Sequence, residues 1–349
     1  MSRIGRASKI ALLGVGMGLM MGAACRPKPS SNPPLCRFKA SDEDLATQQL
    51  TPDKWLSVIS PSVDRSTMTR KGPLKDACGR VLEVPADPWP ACPGMAPPTV
   101  PKGGDRIEIS DLIVGQVGEG RLLIWAATEE LATGEAMGPA ALVFWKGGGL
   151  EVHAAGILRG LREEARIRLH KTSGKLVVIL ESQQCASDGR CTAITKFFPI
   201  VRRRFQDFPI KGPEGECEGE ASFVLSRKTE EPRSGKLTRR FELQRTVELA
   251  EDGIYLVDLV TGDEYNPRDP VGTVRPFRRV TARRKLELAD DHFMVRSRDL
   301  WNDVLRDFGL VSPTGQDGPR MDADAEELEG DEGGEDDEGK SKGGKSKKK

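Results

Sequence analysis

Residues 240–256, RFELQRTVELAEDGIYL, decide the fold class: Phe241, Leu243, Val247 and Leu249 alternate with Glu242, Gln244, Thr246 and Glu248. A period of two puts one set on a buried face and the other in water, as a half-covered strand requires, whereas a helix would smear the pattern around its axis. The strand ends in Glu-Leu-Ala, meets an acidic turn at Asp252 and returns through Ile254, Tyr255 and Leu256, so the segment reads as a hairpin. Thirty-nine residues further on, residues 279–295 (RVTARRKLELADDHFMV) repeat the arrangement with the turn at Asp291. The predicted class is mainly β, with an antiparallel sheet arranged as a meander, a sandwich or, because the spacing is near that of a propeller blade, a propeller-like ring. If the two hairpins are equivalent, Val247, Leu249, Leu286 and Leu288 face a core while Glu248 and Glu287 face water.

Other segments follow the same period. Ala165, Ile167 and Leu169 alternate with Arg166, Arg168 and His170, and Thr172-Ser173-Gly174 turns the chain into the continuous apolar run Leu176-Val177-Val178-Ile179-Leu180. Such a run fits a central strand covered on both faces. Gly147-Gly148-Gly149 lacks a following Lys-Ser/Thr and lies between Phe144-Trp145 and Leu150-Glu151-Val152, where a hairpin turn suffices and no phosphate loop is needed. Nearer the start, Ser41-Asp42-Glu43-Asp44 can cap a short helix, and Thr51-Pro52 opens another that carries Trp55, Leu56 and Ile59. Prolines 88, 90, 93, 97 and 98 then interrupt regular structure. A last helix starts at the Asp299 cap, gathers Leu300, Val304, Leu305 and Phe308 on one side and stops at Gly309.

The ends differ from the middle. Arg3, Arg6 and Lys9 precede an apolar stretch over 10–24, the plan of a signal peptide. As a helix that stretch would reach only about 22 Å, short of a bilayer core of roughly 30 Å. It ends in Gly22-Ala23-Ala24-Cys25, which resembles the lipobox of bacterial lipoproteins. The resemblance covers the leader alone and implies that Cys25 carries lipid (a palmitate-type anchor); Gly22 stands where that family has an aliphatic residue, and cleavage after Ala24 without lipid is the alternative. Removing Cys25 from the seven cysteines leaves Cys36, Cys78, Cys92, Cys185, Cys191 and Cys217, an even set for three disulfides. Cys185 and Cys191 bracket a turn-rich loop and are expected to pair with each other; the remaining connectivity stays open. The expected organisation is a signal peptide over 1–24, a proline-rich tether over 25–35, a small helical and irregular disulfide-tied region over 36–104, an antiparallel β domain with a C-terminal helix over 105–312, and a disordered acidic then lysine-rich tail over 313–349.

Charge excludes one class of partner. The formal net charge is zero, the leader holds +3 and the tail −5, so the rest carries only +2, and nucleic acid is not an expected partner. No CxxC occurs and the three histidines are scattered, so neither a metal nor a cofactor is expected. The densest cluster of chemistry, Asp290-Asp291-His292, falls on a predicted turn where Asp is favoured for local backbone bonding, and Ser222 and Ser226 lack a Gly-x-Ser-x-Gly context. The basic runs Arg202-Arg203-Arg204, Arg239-Arg240, Arg278-Arg279 and Arg283-Arg284-Lys285 are read as a solvated sheet face balanced by nearby acids, with recognition of an anionic surface on the same side of both hairpins as the alternative. No catalytic residue is assigned, and the sequence points to a non-enzymatic, membrane-anchored envelope lipoprotein, periplasm-facing or on the cell surface, that binds or assembles with a protein or glycan. The alternative is a secreted hydrolase with a dispersed site. A pocket pairing a shifted acid with a histidine would favour the enzyme; an open β face would favour binding.

Overall fold

The computed structural model describes residues 33–64, 66–82, 92, 111–118, 120–131, 134–185, 191–233, 237–269 and 272–310. In chain order these form β1 (Cys36–Lys39), α1 (Asp42–Thr47), α2 (Pro52–Ile59), β2 (Val63–Asp64), β3 (Thr69–Arg70), β4 (Leu112–Gln116), β5 (Arg121–Ala126), β6 (Glu129–Glu130), β7 (Ala136–Lys146), β8 (Gly149–Gly160), β9 (Arg166–Thr172), β10 (Lys175–Cys185) and β11 (Cys191–Val201). There follow β12 (Arg204–Phe205), β13 (Pro209–Lys211), β14 (Cys217–Glu220), β15 (Ser222–Val224), β16 (Ser226–Pro232), β17 (Thr238–Ala250), β18 (Gly253–Tyr265), β19 (Arg275–Leu288), β20 (Phe293–Val295) and α3 (Leu300–Asp307). The protein is mainly β, as the period of two requires.

The first sheet runs β4-β5-β7-β8-β12-β11-β10-β9, with β1 added to β8, β6 to β7 and β15 to β11. The turns between β7 and β8 and between β9 and β10 are where the sequence places them. Between β7 and β8 both Gly147 (φ 55) and Gly148 (φ 99) are left-handed, the conformation a two-residue hairpin needs and one that side chains resist. The sheet curls until its two ends meet: a Cβ added to Gly115 of β4 would lie 2.5 Å from the carbonyl oxygen of Ile167 in β9. The second sheet runs β14-β13-β20-β19-β18-β17-β16, a meander over its last five strands. Two short pairings, β12 with β8 and β13 with β20, are parallel, so the sheets are mixed rather than wholly antiparallel.

Helix α1 opens on a capping box between Ser41 and Asp44, and α2 opens with Pro52 and buries Trp55, Leu56, Val58 and Ile59. These apolar residues pack on Ile124, Ala126, Ala141 and Val143 of the first sheet, and β1 pairs with β8. The helical region at 36–82 therefore shares the core of the first sheet; the boundary expected near residue 104 lies outside the described residues, as do the leader, Cys25 and the tail. Strand β10 is covered on both faces: Val178 and Leu180 join Phe198, Trp125 and Leu158 in the curled sheet's interior, while Val177 and Ile179 join Phe197, Ile254, Leu256, Leu286 and Phe293. The second sheet thus stacks on the outside of β10 and β11.

The two similar segments are both hairpins, β17–β18 and β19–β20, with the register expected: Leu286 is buried, Val247, Leu249 and Leu288 are partly buried against the shared core, and Glu248 is exposed. They are not equal units. The first has two arms of 13 residues, the second one arm of 14 and one of three, and all belong to one continuous meander rather than to separate propeller blades.

Candidate functional site

The same alternation that buries Leu243 and half-buries Val247 carries Arg245 inward between them, and the equivalent arginine of the second hairpin, Arg284, lies two residues before Leu286. Both are buried, Arg284 at 2% side-chain exposure. Arginine is tolerated there because carboxylates meet it. Asp258, fully buried and directly opposite Arg245 in the ladder, accepts from Arg245 Nε at 2.7 Å and Nη2 at 2.9 Å, one bond to each oxygen. Asp299 closes the quartet: its Oδ2 accepts from Nη2 of Arg245 at 2.6 Å and from Nη2 of Arg284, while its Oδ1 accepts the Asn302 N–H at 3.2 Å and caps α3. Burial works against the Arg245 charge, but the Asp258 hydrogen bonds and Asp299 outweigh it and raise its pKa; burial likewise pushes the Asp299 carboxyl up, yet Arg284 and Arg245 hold it below the ordinary value. Trp301, Val304 and Leu305 of α3 then pack on Phe241, Leu243 and Val260.

A second charge network joins the sheets. Lys196 of β11, 4% exposed, bonds Glu220 of β14 at 3.0 Å and pairs with Glu135; Arg159 of β8 places Nη2 2.8 Å from both Asp207 and Glu220. Three carboxylates face two cations. Burial raises the carboxyl of Asp207 above its ordinary value, where the surplus negative charge falls; burial acts in the same sense on Glu220, but Lys196 and Arg159 prevail and bring it to about 2. A cleft of about 350 Å³ opens beside the two networks, lined by Glu220, Arg245, Arg284 and Asp299. Its walls hold five arginines and five carboxylates, so its charge is satisfied from within.

On the other face of the second sheet, Tyr255, Val257 and Leu259 form a half-buried apolar line along β18. Exposed Gln244, Thr246 and Glu248 of β17 flank it on one side and exposed Thr281 and Arg283 of β19 on the other. The Arg283 guanidinium lies 3.5 Å from the Tyr255 ring centroid and its Nε bonds Glu248 at 3.0 Å; the Tyr255 hydroxyl donates to Asp252 at 2.6 Å. This face is open and its aromatic ring is held in place.

Three disulfides are present: Cys36–Cys78, Cys92–Cys217 and Cys185–Cys191. The local pair is as expected, and Cys92–Cys217 ties the proline-interrupted stretch to the second sheet. The histidines do not converge. His153 Nε2 lies 3.1 Å from Glu151 with its ring against Phe144, His170 Nε2 lies 3.0 Å from the Ala250 carbonyl, and His292 Nδ1 lies 2.8 Å from Asp291 in the β19–β20 turn. Ser222 lines the charged cleft and Ser226 begins the edge strand β16. The arginine reading needs one correction: Arg284 is buried in ion pairs rather than solvated, together with Arg245, which was not among those runs. No family model matches the chain, and no curated protein or solved structure matches it.

Proposed function

We propose that the protein is a non-enzymatic lipoprotein of the bacterial envelope, held at the membrane through Cys25, and that its folded unit is a binding or assembly module for a partner in the same compartment. The observation that carries this reading is the open outer face of the second sheet, where an apolar line ending in a pinned tyrosine is bordered by polar and charged groups. That composition, with an aromatic anchor and a polar rim, is what a recognition surface uses. Cysteine parity supports the anchor: six cysteines are consumed in three disulfides, which leaves Cys25 as the odd one, and disulfides accord with an exported protein.

The hydrolase reading has one observation in its favour. Asp207 and Glu220 share Arg159 while their pKa values are pushed apart, the division of labour an acid and a base require. Both carboxylates are already engaged by Arg159 or Lys196, and among the described residues no histidine lines the charged cleft.

The test is capture from a detergent-solubilised envelope extract with the mature protein, comparing wild type with Val257→Asp. A defined partner held by wild type and lost by the variant is expected. Capture that ignores the substitution sinks the outer-face assignment, and hydrolysis of an envelope polymer abolished by Asp207→Asn would put the enzyme in its place. Detergent partitioning of wild type and Cys25→Ser examines the anchor separately: both remaining in the aqueous phase would remove it.

A further inference from the structure

Helix α2 does not cover the whole face of the first sheet on which it packs. Beyond its first turn, the link between α1 and α2 stands away from β4, β5 and the end of β7, leaving a cleft of about 570 Å³. Half-buried Trp145 forms one wall, with the buried Trp55 ring 6.3 Å away at 71°, a near-perpendicular contact that fixes the indole as a platform. Gln48, Gln49 and Gln116 stand exposed around it. Gln48 is the left-handed C-cap of α1 (φ 50), and Gln116 lies on the same face of β4 as Val114, so both positions are set by backbone geometry.

Among the described residues the lining contains no carboxylate and one cation, Arg121, whose guanidinium sits 5.2 Å from the Phe144 ring centroid. A strongly charged ligand would find little to neutralise it. A hydrocarbon could bond none of the three carboxamides and would strip water from them wherever it covered them. An extended peptide joining the sheet would need the free edge of β4, and β9 already approaches that edge at Gly115. What remains complementary is a molecule with flat C–H faces and many groups that both donate and accept, because each carboxamide also does both.

We propose that this cleft is a saccharide-binding subsite that takes an uncharged sugar, its ring stacked on Trp145 and its hydroxyls bonded by Gln48, Gln49 and Gln116. The assignment rests on the reading of the protein as a binding module and adds a second site, on the other sheet from the outer face described above.

The experiment is a titration of the mature protein with maltotriose, cellotriose and chitotriose, followed by tryptophan fluorescence and calorimetry. A saturable response to at least one, with a Kd of about 1 mM or tighter, is expected. Gln116→Ala, on an exposed strand position, should weaken it about ten-fold; Trp145→Ala should abolish it and Trp145→Phe should retain most of it. Val257→Asp, on the opposite sheet, should leave it unchanged. No saturable response to any of the three, an affinity indifferent to Gln116→Ala, or preferential binding of an uncharged peptide would overturn the subsite. Sugar binding that fails while envelope capture succeeds removes the subsite alone; the reverse result removes only the outer-face assignment.

Discussion

Asp258→Asn is the sharpest probe of how the second sheet is held. The aspartate has no accessible surface, takes two hydrogen bonds from Arg245 at 2.7 and 2.9 Å and lies 3.5 Å from Arg284. Asparagine keeps the shape and one acceptor oxygen but removes the charge, so two buried guanidiniums are left with Asp299 alone. Breaking a buried ion pair by removing one partner costs about 3 to 5 kcal/mol, and the acceptor retained by asparagine places the expected loss near the lower end, about 3 kcal/mol. Against a total stability of roughly 5 to 15 kcal/mol, that is a large share. Urea unfolding of the oxidised protein measures it as a fall in midpoint at constant slope. Adding Arg284→Met restores the balance of charge, so the double variant should recover a substantial part of the loss instead of summing the two single effects. A cost below about 1 kcal/mol for Asp258→Asn, or strict additivity in the double variant, would refute the claim that these four groups act as one unit.

Three other outcomes follow from the geometry. Glu220, depressed from 4.5 to about 2, contributes stability that is present above its unfolded value and lost as the pH falls through the folded one, roughly 3 kcal/mol in all. Glu220→Gln should lower the melting temperature at neutral pH and flatten the decline between about pH 5 and 2; an unchanged acid limb would assign that decline elsewhere. Asp207, shifted upward, has the opposite sign, so its contribution is greatest in acid and fades as the pH rises through its folded value. Opening Cys92–Cys217, which spans 125 residues, should destabilise by about 5 kcal/mol in the chain-entropy model, against about 2 for Cys185–Cys191 with a separation of six; paired Cys→Ser variants followed by thermal melting compare them. In the repeated hairpins, Leu286→Ala should cost about 2 to 5 kcal/mol and Leu249→Ala less, since its side chain is only partly covered, while Glu248→Ala should stay within about 0.5.

Local order was legible in the sequence wherever a rule acts over a few residues. The alternation at 241–249 gave the correct faces, the apolar run at 176–180 was a doubly covered strand, and the Ser41, Thr51-Pro52 and Asp299 starts all opened helices. The same residues acquire roles that no local rule carries. Asp299 reads as a cap from its neighbours, but it is also the counter-ion of Arg245, 54 positions away. Arg245 was visible in the alternation as an inward residue between Leu243 and Val247; what hid its burial was the local balance of acids and bases, which suits a wet face as well as a buried pair. Lys196 is masked in another way, because the apolar residues around it at 194 and 197–198 define the strand and say nothing of Glu135 and Glu220. The saccharide cleft leaves no signature, since its walls come from residues 47–55, 112–122 and 145.

The disulfide pattern also has a consequence in time. In chain order Cys36 and Cys78 are followed by Cys92, which precedes Cys185 and Cys191 and only later its partner, Cys217. An oxidant that linked cysteines strictly in order of appearance would trap Cys92 on Cys185. The six-residue separation of Cys185 and Cys191 favours that pair: a loop this short costs far less entropy to close than the long loop from Cys92 to Cys185. The β10–β11 ladder sets Cys185 opposite Cys191, so the hairpin favours its own pair and leaves Cys92 for Cys217.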